Sequence, residues 1–481
     1  MDSALDIFSS PRYRYLDGSL VVVPVPVHPQ PPFEGALRTD VLSLYQRTVT
    51  AELMQQVLQE KGVQQNNRIY HPRVVIWLMT EQRFHGNASM ETAVCHVVRG
   101  LPAEFWPRPC KRLREESVSS NDASYSTARQ ELPLPVVEEI ADQVFERLLA
   151  QTGGAVPVLG RRAFFVDGTS LRTAHTPELT EEFPPTPNQH GPSHWPVLKM
   201  LVAHDLHTGL AMRPVWGAMS GEQAISEQAL FEKFLVERMP AGAVVVGDIN
   251  FGVFSVAYAA DQRQHPVVLR MQEQRAKALL GGPLVDGIDR EVEWRPSRDD
   301  RKSHPKLPDD ACVRGRVLVT LVQPGNGADP FLLVLFISLP AAQARREDLL
   351  HLYGKRWDIE LDLRTLKGTL KLDQLTSLSQ QMVAKEINVA MVTYNLVRAV
   401  MYAAAVQSGL APRNYSFTRV RNVIEHFLPF IAAARTPEEA QALTAKMMYC
   451  VGQKKLRARN RRRSYPRKVW GKPQTFPSRK A

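Results

Sequence analysis

The sequence predicts an α/β protein whose mixed core is interrupted by a β-rich insertion and flanked by helical N-terminal and C-terminal regions. Three observations predict it. Apolar residues recur every three to four positions before residue 161 and after residue 344. Short apolar runs bounded by turn residues take over from 161 to 271. A third texture, strand-like runs separated by polar Pro- and Asp-rich loops, fills 272–344.

Taken in order, residues 1–36 are Pro-rich and non-periodic, an extended arm. Residues 37–110 read as a helical domain: "VLSLYQRTVTAELMQQVLQEKG" carries helical periodicity up to Gly62, and "HPRVVIWLMTEQRF" starts a helix at Pro72. Residues 111–160 read as a charged and Ser-rich linker followed by a helix from about Pro135 to Gln151. In 161–271, "RRAFFVDG" is a strand ending at Asp167, and "VLKMLVAHDLHTGLAMRPVWG" a hairpin turning at Asp205–Gly209. "EQAISEQALFEKFLVERM" is then an amphipathic helix, "AGAVVVGD" a buried strand ending at Asp248, and "QHPVVLRM" another strand. The insertion's last strand, "PFLLVLFISL", is expected to rejoin the main sheet. Helix resumes in 345–405, continues through 406–452, and gives way to a basic tail at 453–481.

A chain of 481 residues has room for two to four units, and 44% hydrophobic with 23% charged residues is ordinary for a soluble globular protein. The net charge of +11 belongs to the tail, which holds twelve Lys/Arg and no Asp or Glu, including Arg461, Arg462 and Arg463. Such a concentrated charge calls for a polyanion partner. Cys95, Cys110, Cys312 and Cys450 show no C-x-x-C spacing, which suggests neither a disulfide framework nor a zinc site and fits a reducing cytosol. "SLVVVPVPVHPQPP" is broken by prolines and is not a signal peptide. "NVAMVTYNLVRAVMYAAAV" carries Asn395 and Arg398, so a buried helix is expected there rather than a membrane span.

Three acidic residues carry the chemical interest. Asp167 in "VDGT" and Asp248 in "GDINF" each close a short apolar run, and strand ends are where ligand sites collect in α/β folds. Either aspartate alone is also what a turn cap requires. Glu360 sits in "HLYGKRWDIELDLRTLKGTLK". If that stretch is one continuous helix, Tyr353, Arg356, Lys367 and Lys371 all fall within about 40° of Glu360 around the axis, while Asp358 and Asp362 point elsewhere. Ordinary i, i+4 ion pairs account for one such contact. One carboxylate among several cations leaves an excess of positive charge, which suits a phosphate backbone.

Were Asp167, Asp248 and Glu360 to converge, each pair at 4 Å would repel by roughly 4 kcal/mol at an effective dielectric near 20. Such a cluster either shifts its pKa values or binds a divalent cation. Oxygen donors suit two Mg²⁺ or Mn²⁺ ions better than zinc, and a two-metal site activates a water or 3′-hydroxyl while stabilising the leaving oxygen. Arg356 and Lys367 would hold neighbouring phosphates, and Tyr353 would donate a hydrogen bond to one.

The block Tyr353-x2-Arg356-x3-Glu360-x6-Lys367 matches, at every spacing, the Y-R-E-K signature of bacterial DDE transposases of the insertion-sequence-four type. "VDGT" and "GDINF" resemble that family's first and second aspartate motifs, the helices of 37–110 its N-terminal domain, which implies DNA binding there, and "RNRRRSYPRK" its basic C-terminus. The resemblance implies a ribonuclease-H-like catalytic core with Asp167, Asp248 and Glu360 as catalytic metal ligands. It also implies metal-dependent hydrolysis at transposon ends and 3′-hydroxyl strand transfer into target DNA. Its partners would be double-stranded DNA, as terminal inverted repeats and target, and a second copy in a synaptic complex, within a bacterial cytoplasm and associated with the nucleoid. In related transposases a tryptophan of the insertion stacks on a flipped base. Trp294, the insertion's one tryptophan, takes that role here or is ordinary strand packing. A metal-dependent nuclease without strand transfer, or a non-catalytic DNA-binding derivative, are the rival readings. His204, Asp205 and His207 in "HDLH" are expected to be solvated turn residues, and Glu222 and Glu227 to serve a helix N-terminus.

Overall fold

The computed structural model describes residues 13–16, 19–22, 38–64, 68–152, 160–188, 191–323, 329–373 and 375–456. The tail from 457 onward, with Arg461, Arg462 and Arg463, lies outside the described residues, as does most of the Pro-rich arm. Within the arm, β1 (Tyr13–Leu16) and β2 (Ser19–Val22) pair antiparallel.

The N-terminal helices follow from their caps and apolar spacing. Helix α1 (Val41–Thr48) is capped by Asp40 and α2 (Ala51–Glu60) by Thr50, each side chain accepting a backbone N–H of the first turn. Helix α3 (Pro72–Phe84) has proline where a helix tolerates it, at its first position, and α4 (Met90–Arg99) is capped by Ser89. Tyr45, Trp77 and Phe105 form an aromatic cluster among them. Buried Arg73 donates to the carbonyls of Val49 (2.7 Å) and Glu104 (2.9 Å), tying α3 to the chain ends around it.

The stretch read as a linker holds two short helices, α5 (Lys111–Arg114), which is exposed, and α6 (Ala123–Glu131), ahead of the expected helix, α7 (Leu134–Ala150). Tyr125 is buried and donates to Gln82 Oε1 at 2.8 Å, and Lys385 donates to the carbonyls of Arg129 and Gln130, both at 2.9 Å. Polar sequence here reflects hydrogen bonding to neighbouring helices, which composition does not distinguish from solvation.

The core sheet begins with β3 (Ala163–Arg172), followed by α8 (Pro177–Glu182), β4 (Pro185–Asn188), β5 (Gly191–Asp205), β6 (Val215–Ala218) and α9 (Glu227–Leu230). It continues through β7 (Val244–Gly247), α10 (Phe254–Asp261), β8 (Val267–Arg270) and α11 (Glu273–Leu280). Then come β9 (Asp289–Trp294), α12 (Arg298–Ser303), β10 (Val313–Val322) and β11 (Phe331–Ile337). The nine-stranded, mostly antiparallel sheet has the order β4-β5-β3-β7-β8-β11-β10-β9, with β6 also paired to β5; β3-β7 and β7-β8 are its parallel pairs. The last strand of the insertion does rejoin the main sheet, β11 against β8, and β10 and β9 extend that same sheet further.

Helices α13 (Arg346–Gly354), α14 (Trp357–Arg364), α15 (Gln380–Ser408), α16 (Phe417–Ala432) and α17 (Pro437–Gly452) complete the chain. Helix α15 is long and apolar enough to cross a membrane, yet 94% of its most apolar window is buried by protein, against α3, α7 and α16 among others. Its polar residues face protein: Asn395 exchanges two 2.8 Å hydrogen bonds with the backbone of Ala211, beyond the β5 turn. Of the turn residues expected to be solvated, His207 is exposed, but the other two are not. His204 and Asp205 are fully buried, Asp205 Oδ2 accepts from Thr208 N and Oγ1, and burial pushes the His204 imidazole down to about 4.

Trp294 is 2% exposed and packs edge-on against Phe336 (4.7 Å) and Phe254 (5.9 Å). The base-stacking expectation is therefore replaced by the packing one: β9 ends against α10, and the ring fills the space between them. Trp294→Phe should lower unfolding free energy by about 1–2 kcal/mol through lost contact area, measured by denaturant titration.

Candidate active site

The two aspartates come together because β3 and β7 run parallel in register. Val166 pairs with Gly247, so Asp167 and Asp248 follow side by side. Strand β7 stops there, but β3 continues to Arg172 against β5, with Asp167 opposite Val202. Asp167 is thus in mid-strand, not at a strand end; it sits where its parallel neighbour peels away and leaves one edge open. Beyond β7 the turn is held by Asn250, whose N–H donates to Asp248 Oδ1 at 2.9 Å.

A fourth carboxylate joins them. Asn250 Nδ2 donates to Glu227 Oε2 at 2.7 Å, and a Cβ at Gly168 would collide with the Glu227 carboxylate. Gly168 is the residue that lets this side chain lie across β3 beside Asp167. Glu227 does open a helix, as expected, but it also reaches the site; a glycine directly after the first aspartate was the available signal.

Helix α14 packs against β3 and brings Glu360 to the same region. The stretch around it is not one continuous helix. It breaks between α13 and α14 at Lys355, and a π-turn at Thr365–Thr369 follows α14. Lys371 lies beyond in a left-handed conformation (φ 58°), so it leaves the arc predicted around Glu360. Lys367 remains near: its Nζ donates to Ser170 O at 3.0 Å and Thr169 Oγ1 at 3.3 Å, just past Asp167 on β3. Arg356 Nη2 lies 2.8 Å from Glu360 Oε1, so in the free chain the glutamate is ion-paired to the arginine one turn before it. Tyr353 is buried rather than displayed, in the field of Arg356, Arg270 and Asp248, and burial pushes its hydroxyl up to about 12. Asp362 points away, into a buried pair with Arg398 and Arg413. Trp357 is 46% exposed at the start of α14.

The electrostatics follow from that crowding. Burial raises the Asp167 carboxyl to about 7, with Asp248 and Glu227 adding to the rise and the Gly168 N–H (2.8 Å) and Arg356 opposing it. A carboxyl raised this far holds its proton in the folded chain between about pH 4 and 7 but not in the unfolded one. Stability from this group is therefore present at low pH and lost as pH rises toward 7. Going from pH 5 to 8, the metal-free chain should lose up to about 2–3 kcal/mol relative to Asp167→Asn, measured by denaturant titration of both proteins at each pH.

The donor set fits a hard divalent cation. It offers carboxylate oxygens, one of them costly to ionise without a counter-charge, and no imidazole or thiolate among the residues described above. The spacing is that of a relaxed cluster. Among the described residues, Asp167, Asp248 and Glu360 do not bring one oxygen each within 4.8 Å of the other two, and Glu360 rests on Arg356 instead.

A family model described as "Transposase DDE domain" matches residues 159–396, from just before β3 into α15. The transposase InsG for insertion sequence element IS4 of Escherichia coli (strain K12) is 26% identical over 325 residues, covering 65% of this chain and 68% of that protein. The cryo-EM structure of a piggyBac transposase synaptic complex with hairpin DNA aligns over 86% of this chain and 85% of its own, at 12% identity and a TM-score of 0.40. The chain is a DDE transposase. Within that class it belongs to the insertion-sequence-four type, the family to which its Tyr353–Lys367 block pointed.

Proposed function

We propose that this transposase cuts DNA at the terminal inverted repeats of its element and joins the freed 3′-hydroxyls to target DNA. The work is done at Asp167, Asp248 and Glu360 on a ribonuclease-H-like core. The observation that carries the reading is the juxtaposition of Asp167 and Asp248 on in-register parallel strands, with the Glu360 helix laid against the same β3. A sheet with an antiparallel β5-β3 pair leading into parallel β7 and β8 supports that core.

Asp167, Asp248 and Glu360 would hold two Mg²⁺ or Mn²⁺ ions, which when bound supply Lewis-acid activation and charge neutralisation at the phosphodiester. The chain's own residues do the rest. The raised Asp167 carboxyl gives up its proton as positive charge arrives. Arg356, released from Glu360, offers a planar fork to a phosphate oxygen pair. Lys367, anchored along β3, places a second positive charge beside the scissile region. Buried Tyr353 lies in the field of Arg356 and Asp248, between the cation that would hold phosphate and the acid that would hold metal. The N-terminal helices and the basic tail supply sequence-independent attraction to DNA, and synapsis of two ends calls for a homodimer. A soluble, nucleoid-associated protein of the bacterial cytoplasm suits that task.

The test supplies a pre-cut terminal repeat with a free 3′-hydroxyl and a supercoiled plasmid, with Mg²⁺. Covalent joining of the end to the plasmid is the expected result. Plasmid nicking without joined product would establish a nuclease instead, and gel-shift without either would establish a non-catalytic DNA-binding protein.

A further inference from the structure

Glu81 and His85 stand one helical turn apart at the C-terminal end of α3, and His96 lies in the last turn of α4. One ligand atom of each lies within 4.8 Å of the other two. Glu81 is 3% exposed, and its Oε2 is buried with no hydrogen-bond partner. Its Oε1 lies 2.7 Å from His96 Nδ1. The His85 ring presents Nδ1 to Glu425 Oε1 of α16 at 3.2 Å, while its Nε2 is buried and unpartnered. Arg421 holds the other Glu425 oxygen at 3.1 Å.

The Glu81–His96 approach does not make a hydrogen bond, so three buried polar atoms of the cluster, Glu81 Oε2, His85 Nε2 and His96 Nδ1, are without hydrogen-bond partners. Leaving such atoms unpaired forfeits the hydration they had in the unfolded chain with nothing in return. A cation between the three residues satisfies all of them. With Glu425 accepting the Nδ1–H of His85, Nε2 is left as a free lone pair, the carboxylate–histidine–metal arrangement. Two imidazoles and one carboxylate select zinc over Mg²⁺. Four-coordinate zinc holds ligand atoms about 3.3 Å apart, a spacing reached from this cluster by small side-chain rotations. We infer that Glu81, His85 and His96 form a zinc site with water in the fourth position, oriented by Glu425 and separate from the Asp167 carboxylates. Its consequence is mechanical: it staples α3 to α4 and α16. Two residues before His85, Arg83 pairs with Glu386 and donates to Leu370 O (3.2 Å) and Lys371 O (3.4 Å), in the turn that follows the Glu360 helix.

The experiment strips the full-length chain with chelator and titrates it with Co²⁺, reading visible ligand-field absorption, with Zn²⁺ as competitor and circular dichroism to confirm the fold. In the wild type and in Asp167→Asn alike, one Co²⁺ equivalent should give a four-coordinate spectrum and be displaced by Zn²⁺, whatever further Co²⁺ the Asp167 carboxylates take up. Folded His85→Gln and His96→Gln should lose it, and Glu425→Gln should weaken binding about 10- to 100-fold. No such spectrum in the wild type, a spectrum that survives both histidine variants, or one that disappears in Asp167→Asn would overturn the assignment.

Discussion

Asp167→Asn should reduce DNA strand cleavage by about 10³-fold or more, the scale on which a single preorganised electrostatic group acts, while gel-shift affinity for the same DNA stays within a few-fold. The substitution keeps the volume and the Gly168 N–H contact but removes the charge. Asp167 is the natural choice because burial and the neighbouring carboxylates of Asp248 and Glu227 already disfavour its ionised form. That is the signature of a group whose charge is meant to be matched by something the free chain does not contain. Glu360→Gln should behave alike, with one difference. It also frees Arg356, 2.8 Å away, to hold phosphate, so DNA affinity should be unchanged or slightly increased. Cleavage at near wild-type rates by either variant would contradict the assignment.

The second large effect concerns stability. Asp362→Ala should destabilise the fold by about 3–5 kcal/mol, the usual consequence of removing one partner from a buried ionic cluster. Asp362 has 2% of its side chain exposed, between Arg398 (5%) and Arg413 (13%), and accepts from Arg413 Nη1 at 2.8 Å and from Arg398 Nη2. Burial alone would raise its carboxyl, but the two guanidiniums outweigh burial and hold it below the usual carboxylate range. Without it, Arg398 keeps Tyr394 Oη and Arg413 keeps two backbone carbonyls, yet two positive charges remain buried with Asp358 at 3.9 Å as the remaining nearby acid. Asp362→Asn, which retains hydrogen-bonding capacity, should cost less, about 1–3 kcal/mol. Denaturant midpoints at constant slope read both. Because Asp362 lies half a turn from Glu360 on α14, it is also the anchor that sets the helix against the sheet.

Much of this was legible in the sequence, for reasons that differ by element. The buried strand "AGAVVVGD" announces both itself and its terminal Asp248, although an acid there also serves as a turn cap, as the Asn250 N–H on Asp248 Oδ1 does here. Asp167 was legible as a candidate but not as a mid-strand residue: β3 continues because β5 pairs with it to Arg172, and pairing across thirty-odd residues leaves no mark in "DGTSLR". Tyr353, Arg356, Glu360 and Lys367 were recognisable by spacing. Their geometry was not, because a break at Lys355 and a π-turn at Thr365–Thr369 reset the helical phase that the arc assumed. Burial by distant partners was the least visible. Asn395 and Arg413 close over the His204–Asp205 turn, and Phe254 and Phe336 close over Trp294. The Glu81–His85–His96 cluster depends likewise on α4 folding back against α3, with ten residues between the histidines, and the neighbouring Cys95 is exposed and outside the cluster.

The central claim is that Asp167, Asp248 and Glu360 hold cations at one place. Fe²⁺ placed at the divalent sites of the full-length chain, with ascorbate and peroxide, cuts the backbone near its ligands, and the fragments are mapped by mass spectrometry. The account predicts Mg²⁺-competed cuts clustered near residues 167, 248 and 360 together, all lost in Asp167→Asn, while any cuts near 81–96 persist. Cuts at one or two of the three positions, or a pattern unchanged by Asp167→Asn, would contradict it.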